Sequence, residues 1–205
     1  MRTKISLIAT AIFLSATFAK AQDDSKFDFG LKIAPTYAWI KSDTKSTFKN
    51  DGGKIGFAYG LVANVNFAKN YALCTGVDVT YRGGKAKSVI DDSTSYASSL
   101  SLQYIEIPIT LKLKTNEIGY LTYFGKFGFA PGLNIKAKDG SQSVKSSIVP
   151  FNASLIIGLG AQYSLGGKTA LLLGLTYNNG FLDFVKGSTA KAETNFVALE
   201  LGIMF

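Results

Sequence analysis

Apolar and polar residues alternate along most of the chain, as they do in β-strands that send successive side chains to opposite faces. In the segment 55–67, one face carries Ile55, Phe57, Tyr59, Leu61, Ala63, Val65 and Phe67. The other face carries Gly56, Ala58, Gly60, Val62, Asn64 and Asn66. Similar alternation predicts eight strands, at 27–40, 55–67, 71–82, 100–114, 120–136, 150–165, 169–179 and 195–205.

The connections between these strands alternate between short and long. Short links lie at 69–70, 115–118 and 166–168, and longer polar links lie at 41–54, 83–99, 137–149 and 180–194. An even-numbered meander with tight turns at one end and long loops at the other is typical of outer-membrane barrels. We therefore predict an all-β fold, an eight-stranded antiparallel up-and-down transmembrane β-barrel, with both termini at the periplasmic side and four extracellular loops.

The composition of the two faces decides between a membrane barrel and a soluble one. A soluble barrel of the lipocalin type also alternates, but its apolar residues line the cavity and a densely charged surface faces water. Here the second face is mostly Gly, Ala, Ser, Thr and Asn, which suits a narrow interior filled by side chains. Aromatic residues near strand ends, such as Tyr71 and Tyr81, are typical of girdles at the membrane interfaces. The bulky face is therefore predicted to contact lipid.

A few charged residues fall on the face predicted to line the interior. Because burying an isolated charge costs several kcal/mol, they need partners. We predict that the following residues form one polar network in the lumen: Lys32, Asp78, Arg82, Glu106, Lys112, Lys126 and Glu200. Replacing Glu106 by leucine should then leave a cation unpaired and lower the heat resistance of the barrel.

The N-terminus has the composition of a secretory signal peptide. Arg2 and Lys4 precede an uncharged, largely apolar run at 5–18, and Ala19-Lys20-Ala21 follows as a cleavage site. The run of 14 residues is shorter than the roughly 20 that a membrane-spanning helix needs. We expect residues 1–21 to be removed and residues 22–205 to form one barrel domain in the cell outer membrane.

The composition argues against catalysis and against nucleic-acid binding. The chain has no histidine, which excludes a Ser-His-Asp triad and any histidine-bearing metal site. The net charge of +8 falls to +5 without Arg2, Lys4 and Lys20, and it is scattered rather than clustered. The single cysteine, Cys74, cannot form an internal disulfide. We therefore predict no enzyme activity, no catalytic residue, no cofactor, no metal site and no nucleic-acid partner.

Three segments carry a resemblance to a known family. The strand YIEIPITLKL at 104–113, the glycine-rich GKFGFAPG at 125–132 and the terminal ALELGIMF at 198–205 resemble the small outer-membrane β-barrels called PorT-like. The resemblance implies the same barrel and the same membrane, and no catalytic motif. The last segment also resembles the C-terminal signal of outer-membrane proteins, which implies recognition of Phe205 by the barrel assembly machinery.

The sequence leaves three functions open. The first is a non-enzymatic scaffold in outer-membrane lipid that presents the loops 41–54, 83–99, 137–149 and 180–194 to a protein or glycan ligand. The second is a small pore or transport-associated barrel, which a filled eight-stranded interior disfavours. The third is a soluble periplasmic, lipocalin-like ligand binder, whose aromatic face would line a cavity.

Overall fold

The computed structural model describes residues 26–42, 48–91, 94–184 and 192–205. Its strands are β1 (Phe27–Ser42), β2 (Phe48–Ala68), β3 (Tyr71–Asp91), β4 (Thr94–Glu106), β5 (Ile109–Lys114), β6 (Leu121–Asp139), β7 (Gln142–Ser143), β8 (Phe151–Gly166), β9 (Thr169–Gly180) and β10 (Ala192–Met204). All paired strands are antiparallel, and β10 pairs with β1, so the sheet closes on itself. The predicted signal peptide, 1–21, lies outside the described residues.

Eight segments each run once along the barrel wall from one end to the other, as predicted. β4 and β5 together make one crossing, because β3 and β6 pair with both of them. The interruption falls at Ile107-Pro108, where proline has no N–H to donate to the sheet. β7 is a two-residue addition beside the end of β6. The predicted all-β, eight-stranded antiparallel barrel is therefore confirmed, and the predicted fourth strand consists of two pieces.

Two of the predicted loops are largely strand. β2 begins at Phe48 and β3 continues to Asp91, so most of 41–54 and 83–99 belongs to tall hairpins. The register continues through Lys85↔Ser99 as far as Asp91↔Thr94. Above the membrane no lipid requires one apolar face, so the alternation disappears while the backbone ladder continues. The sequence therefore resembled a loop where the backbone still forms a sheet.

The bulky face of the sheet points outward. Phe57 is 41% exposed and Leu61 is 57% exposed, whereas Asp78 and Glu200 in the interior are 9% and 5% exposed. A soluble lipocalin-like barrel requires the opposite orientation, and that alternative is therefore wrong for this chain. No helix within the described ranges is long and apolar enough to cross a bilayer.

Aromatic contacts mark two levels on the outer surface. Near the short turns Phe67 lies 6.3 Å from Tyr71, and toward the tall hairpins Tyr59 lies 6.4 Å from Tyr81, measured between ring centroids. Tyr71 and Tyr81 are ten residues apart on β3. Ten residues span about 33 Å along a strand, or about 25 Å after a tilt of about 40°. This separation matches the height of the apolar band of an outer-membrane barrel.

Candidate functional site

Four of the predicted lumen residues form a continuous chain of ion pairs. The Nζ of Lys32 lies 2.8 Å from Asp78 Oδ2 and 3.1 Å from Glu200 Oε1. The Nζ of Lys126 lies 2.6 Å from Glu200 Oε2. These side chains come from β1, β3, β6 and β10, so the chain of charges crosses the lumen and ties non-adjacent strands together.

Glycines on neighbouring strands make room for these charged side chains. Lys32 is in register with Gly60 on β2 and with Gly202 on β10. Gly60 is also in register with Asp78, and a methyl group at Gly60 would collide with the Asp78 carboxylate. Lys126 stands beside Gly158 in the same way. A larger residue at these glycines would occupy the space that the ion pairs fill.

A second, shorter group surrounds Glu106. Its Oε1 accepts a hydrogen bond from Arg82 Nη2 at 2.9 Å, and its Oε2 accepts one from Thr80 Oγ1 at 2.7 Å. The Arg82 guanidinium also lies 4.2 Å from the ring centroid of Tyr104 and 5.5 Å from that of Phe196. A fully buried guanidinium is thus held by one carboxylate and two aromatic rings.

Lys112 lies apart from both groups. Its residue is 1% exposed, and its Nζ lies 4.2 Å from the ring centroid of Phe124. Within the described part of the chain it has no ion-pair partner among the carboxylates. The sequence placed all seven charges in one network, whereas the structure brings six of them into two ion-paired groups. Lys112 is in register with Lys126, whose ammonium is directed to Glu200.

Apolar layers lie on both sides of these ion pairs. The layer toward the short turns consists of Val62, Cys74, Phe124, Leu172 and Met204. The layer toward the tall hairpins consists of Ile40, Leu102, Tyr104, Ala137, Ile148, Phe184 and Ala192. Lys112 and Arg82 reach aromatic rings in these layers, so the charges are separated from water at both ends of the lumen.

The layer toward the hairpins acts as a plug. Ile148 and Phe184, which are 4% and 2% exposed, belong to two connections that fold into the mouth of the barrel. The backbone N–H of Val149 donates to Phe184 O at 2.8 Å and fastens the two connections to each other. Both segments lie within the outward loops predicted from the sequence, 137–149 and 180–194. The large apolar residues in these segments could have indicated the plug, because such side chains are more often buried than exposed.

The remaining space in the lumen is small. A cavity of about 50 Å³ lies among the ion pairs and is lined by Lys32, Asp78, Thr80 and Glu106, among others. This volume holds a few water molecules and is far from an open channel. Asp78 Oδ1 is buried without a protein hydrogen-bond partner and is one of the polar atoms here. No group of candidate metal ligands converges among the residues that the structure describes.

A closed antiparallel barrel with an apolar exterior, two aromatic levels and an ion-paired, plugged interior is the architecture of a small transmembrane β-barrel. The chain belongs to the family described as outer membrane protein beta-barrel domain, whose model matches residues 19–186. Membership of this family implies a location in the outer membrane. No curated protein sequence matches the chain.

Solved structures of small outer-membrane barrels share the fold. Neisserial surface protein A is 18% identical with a TM-score of 0.52, over 89% of this chain and 98% of its own. Ail, the attachment invasion locus protein of Yersinia pestis, is 18% identical with a TM-score of 0.50, and the match covers 88% of this chain and 100% of Ail. The outer membrane protein OprG of Pseudomonas aeruginosa is 10% identical with a TM-score of 0.54, and the match covers 91% of this chain and 99% of OprG. At these identities the likeness concerns the fold.

Proposed function

We propose that this chain is a non-enzymatic interaction scaffold, a rigid barrel that presents its tall-hairpin end outside the cell. The observation that carries the proposal is the plug. Ile148 and Phe184 fill the mouth of the barrel, and the cavity below them has a volume of only about 50 Å³. A barrel of this kind has no room for a conducting path, so its function lies on its outer surface. The absence of histidine in the sequence supports a role without catalysis.

The tall hairpin formed by β3 and β4 is the main candidate for contact with a protein or glycan ligand. Tyr81 marks the upper aromatic level, and β3 continues ten residues further, to Asp91. Ten residues correspond to a rise of about 25 Å after tilt. The hairpin therefore projects well beyond the lipid.

The register indicates how to shorten this hairpin without disturbing the barrel. Lys85 and Ser99 are opposite each other, so residues 86–98 can be replaced by an Asn-Gly turn between them. We expect ligand binding by the protein in nanodiscs to be lost while the heat-modifiable band on a gel is retained. The matched control replaces Lys69-Asn70, at the other end of the barrel, by the same turn. If the variant with the shortened hairpin binds the ligands of the full chain as tightly as wild type does, the hairpin is not the ligand site.

The pore alternative makes a different prediction in a planar lipid bilayer. The plugged barrel should give no steady conductance steps, because two apolar layers and the ion pairs between them block the lumen. Steady open-channel steps from pure, fully folded protein would contradict the scaffold proposal and support transport.

We further propose that residues 1–21 are cleaved on export and that the mature chain, 22–205, is PorT-like within its family. The segment YIEIPITLKL supports the latter assignment: Glu106 is the acid that holds Arg82, and Pro108 breaks the strand between β4 and β5. Mass measurement of the protein from outer membranes tests the cleavage site. A mass that includes residues 1–21 would contradict it.

A further inference from the structure

The outer wall of the barrel contains a basic pocket below the part of the tall hairpin assigned to ligand binding. Its volume is about 280 Å³, and it lies where β2, β3, β4 and β6 run side by side. Its lining includes three lysines, together with apolar and hydroxyl side chains: Lys54, Lys136, Lys138, Ile55, Tyr81, Ser101 and Gln103. We call this the wall pocket.

The lysines of the wall pocket bond to hydroxyl groups or face outward, and in the part of the chain that the structure describes no carboxylate neutralises them. Lys54 Nζ donates to Ser101 Oγ at 2.6 Å and to Ser99 Oγ at 3.5 Å. Lys136 and Lys138 stand on either side of Ala137, which is 1% exposed in the interior, so both lysines lie on the outer face. Within the described residues none of the three forms an ion pair with a carboxylate.

Irregular backbone opens the wall at this point. The register between β2 and β3 shifts between Gly53 and Phe57, and the register between β4 and β6 shifts between Gln103 and Tyr104. Lys54 on β2 reaches across β3 to serines on β4, and β3 carries Gly83 and Gly84 at this level. A side chain larger than glycine on the outer face of β3 would obstruct that path. The bulges and the glycines together make a cleft in the wall.

The level of the wall pocket is that of lipid headgroups. Tyr81, which contacts Tyr59 in the upper aromatic level, forms part of its lining. Lys54 is three residues beyond Phe57 on the way to the tall hairpin. Ile55, which is 80% exposed, stands beside the lysines. Unpaired cations just above an aromatic level, with an exposed apolar neighbour, match a molecule that has an anionic head and a hydrocarbon tail.

We propose that the wall pocket binds a phosphate group of a phosphorylated glycolipid in the outer leaflet, with Lys54, Lys136 and Lys138 as its cationic ligands. The hydroxyl and amide groups of Ser101 and Gln103 can donate to the sugar, and Ile55 contacts the first carbons of an acyl chain. This site lies on the lipid-facing wall, so it is independent of any ligand at the hairpin tips. Shortening the tall hairpin beyond Lys85 leaves the pocket lining unchanged.

The test measures lipid binding by the folded full chain in detergent micelles, by native mass spectrometry with diphosphorylated lipid A as the probe. The variant K54Q/K136Q/K138Q should bind about 100-fold more weakly than wild type, because each lysine contributes about fivefold. The variant K54R/K136R/K138R should keep its affinity within a few-fold. The matched control is K26Q/K69Q/K168Q, which removes three exposed lysines at the short-turn end and should bind like wild type.

The lipid series separates a glycolipid from other sources of phosphate. Diphosphorylated lipid A should bind tightly, whereas dephosphorylated lipid A, phosphatidylglycerol and inorganic phosphate should bind at least tenfold more weakly. Equal binding of the glutamine variant and wild type would overturn the site. Equal binding of phosphatidylglycerol or inorganic phosphate would overturn the assignment to a glycolipid. If the triple variant does not fold, K136Q at an exposed position and the wild-type lipid series decide the question by the same criteria.

Discussion

Replacing Glu106 by leucine removes the carboxylate that pairs with Arg82 in the interior. Leucine fills a similar volume, so the change tests charge and not packing. Arg82 Nη2 loses its 2.9 Å contact, and Arg82 Nε and Nη1 are already buried without hydrogen-bond partners. The rings of Tyr104 and Phe196 remain beside a guanidinium that no longer has a counter-ion. The neighbouring carboxylate, Asp78, is in register with Glu106 but is paired with Lys32.

The expected loss follows from the burial of this pair. Removing one partner of a buried ion pair costs about 3–5 kcal/mol in unfolding free energy, because the other charge remains in a medium that solvates it poorly. The variant R82M/E106L removes both charges and should recover at least half of that loss. The change T80V removes only the 2.7 Å hydrogen bond to the carboxylate and should cost about 1.5–3 kcal/mol.

Urea titration of the chain folded into lipid vesicles measures these free energies, with the fluorescence of the single tryptophan, Trp39, as the signal. The matched control is E117L, the same substitution at an exposed residue near the short turns, which should change stability by less than about 0.5 kcal/mol. An E106L variant within 1 kcal/mol of wild type would refute the reasoning. So would an R82M/E106L variant that is less stable than E106L alone.

Three further measurements test other parts of the structure. L61R places a charge midway between the aromatic levels on the lipid face and should lower the unfolding free energy by about 2–4 kcal/mol. I55R lies above the upper level and should lower it by about 0–1 kcal/mol. Equal losses of stability would contradict the assigned membrane position. F205A should reduce the amount of barrel in the outer membrane of cells but leave refolding of the pure chain into detergent unchanged, as gels of both preparations will show. Cys74, which is 8% exposed in the interior, should react with a maleimide only after urea unfolds the barrel, and rapid labelling of the folded protein would contradict its position.

The strands and their orientation followed from the sequence because the membrane imposes a strict rule on them. Every second residue of a crossing strand meets hydrocarbon, so a segment such as 55–67 shows its period without any tertiary information. Leu172 on β9, for example, is apolar but lies in the lumen beside Phe124 and Met204. The interior tolerates apolar as well as polar residues, so only the outward face carries a regular signal.

The pairing of the charges and the plug did not follow from the sequence. Which acid reaches which cation depends on the stagger of strands around the barrel, and a pattern within one strand does not contain that stagger. Lys112 and Lys126 looked equivalent in sequence, but one faces Phe124 and the other faces Glu200. The wall pocket does not follow from the sequence either, because its lysines fall in predicted loops or at a predicted strand end, and the alternation does not show that they share one level of the wall.

The buried ion pairs contribute more to the choice of register than to net stability. A buried pair gains little over apolar residues of the same size, since desolvation offsets most of its attraction. A slip of one residue would turn the charged side chains toward lipid, at about 2–4 kcal/mol for each cation near the midplane. A slip of two residues would keep the faces but move Lys32 away from Gly60 and Gly202 and onto residues that carry side chains. The correct register is therefore the one in which each of the four linked charges meets both an ion-pair partner and a glycine that makes room for it, and these four are Lys32, Asp78, Lys126 and Glu200.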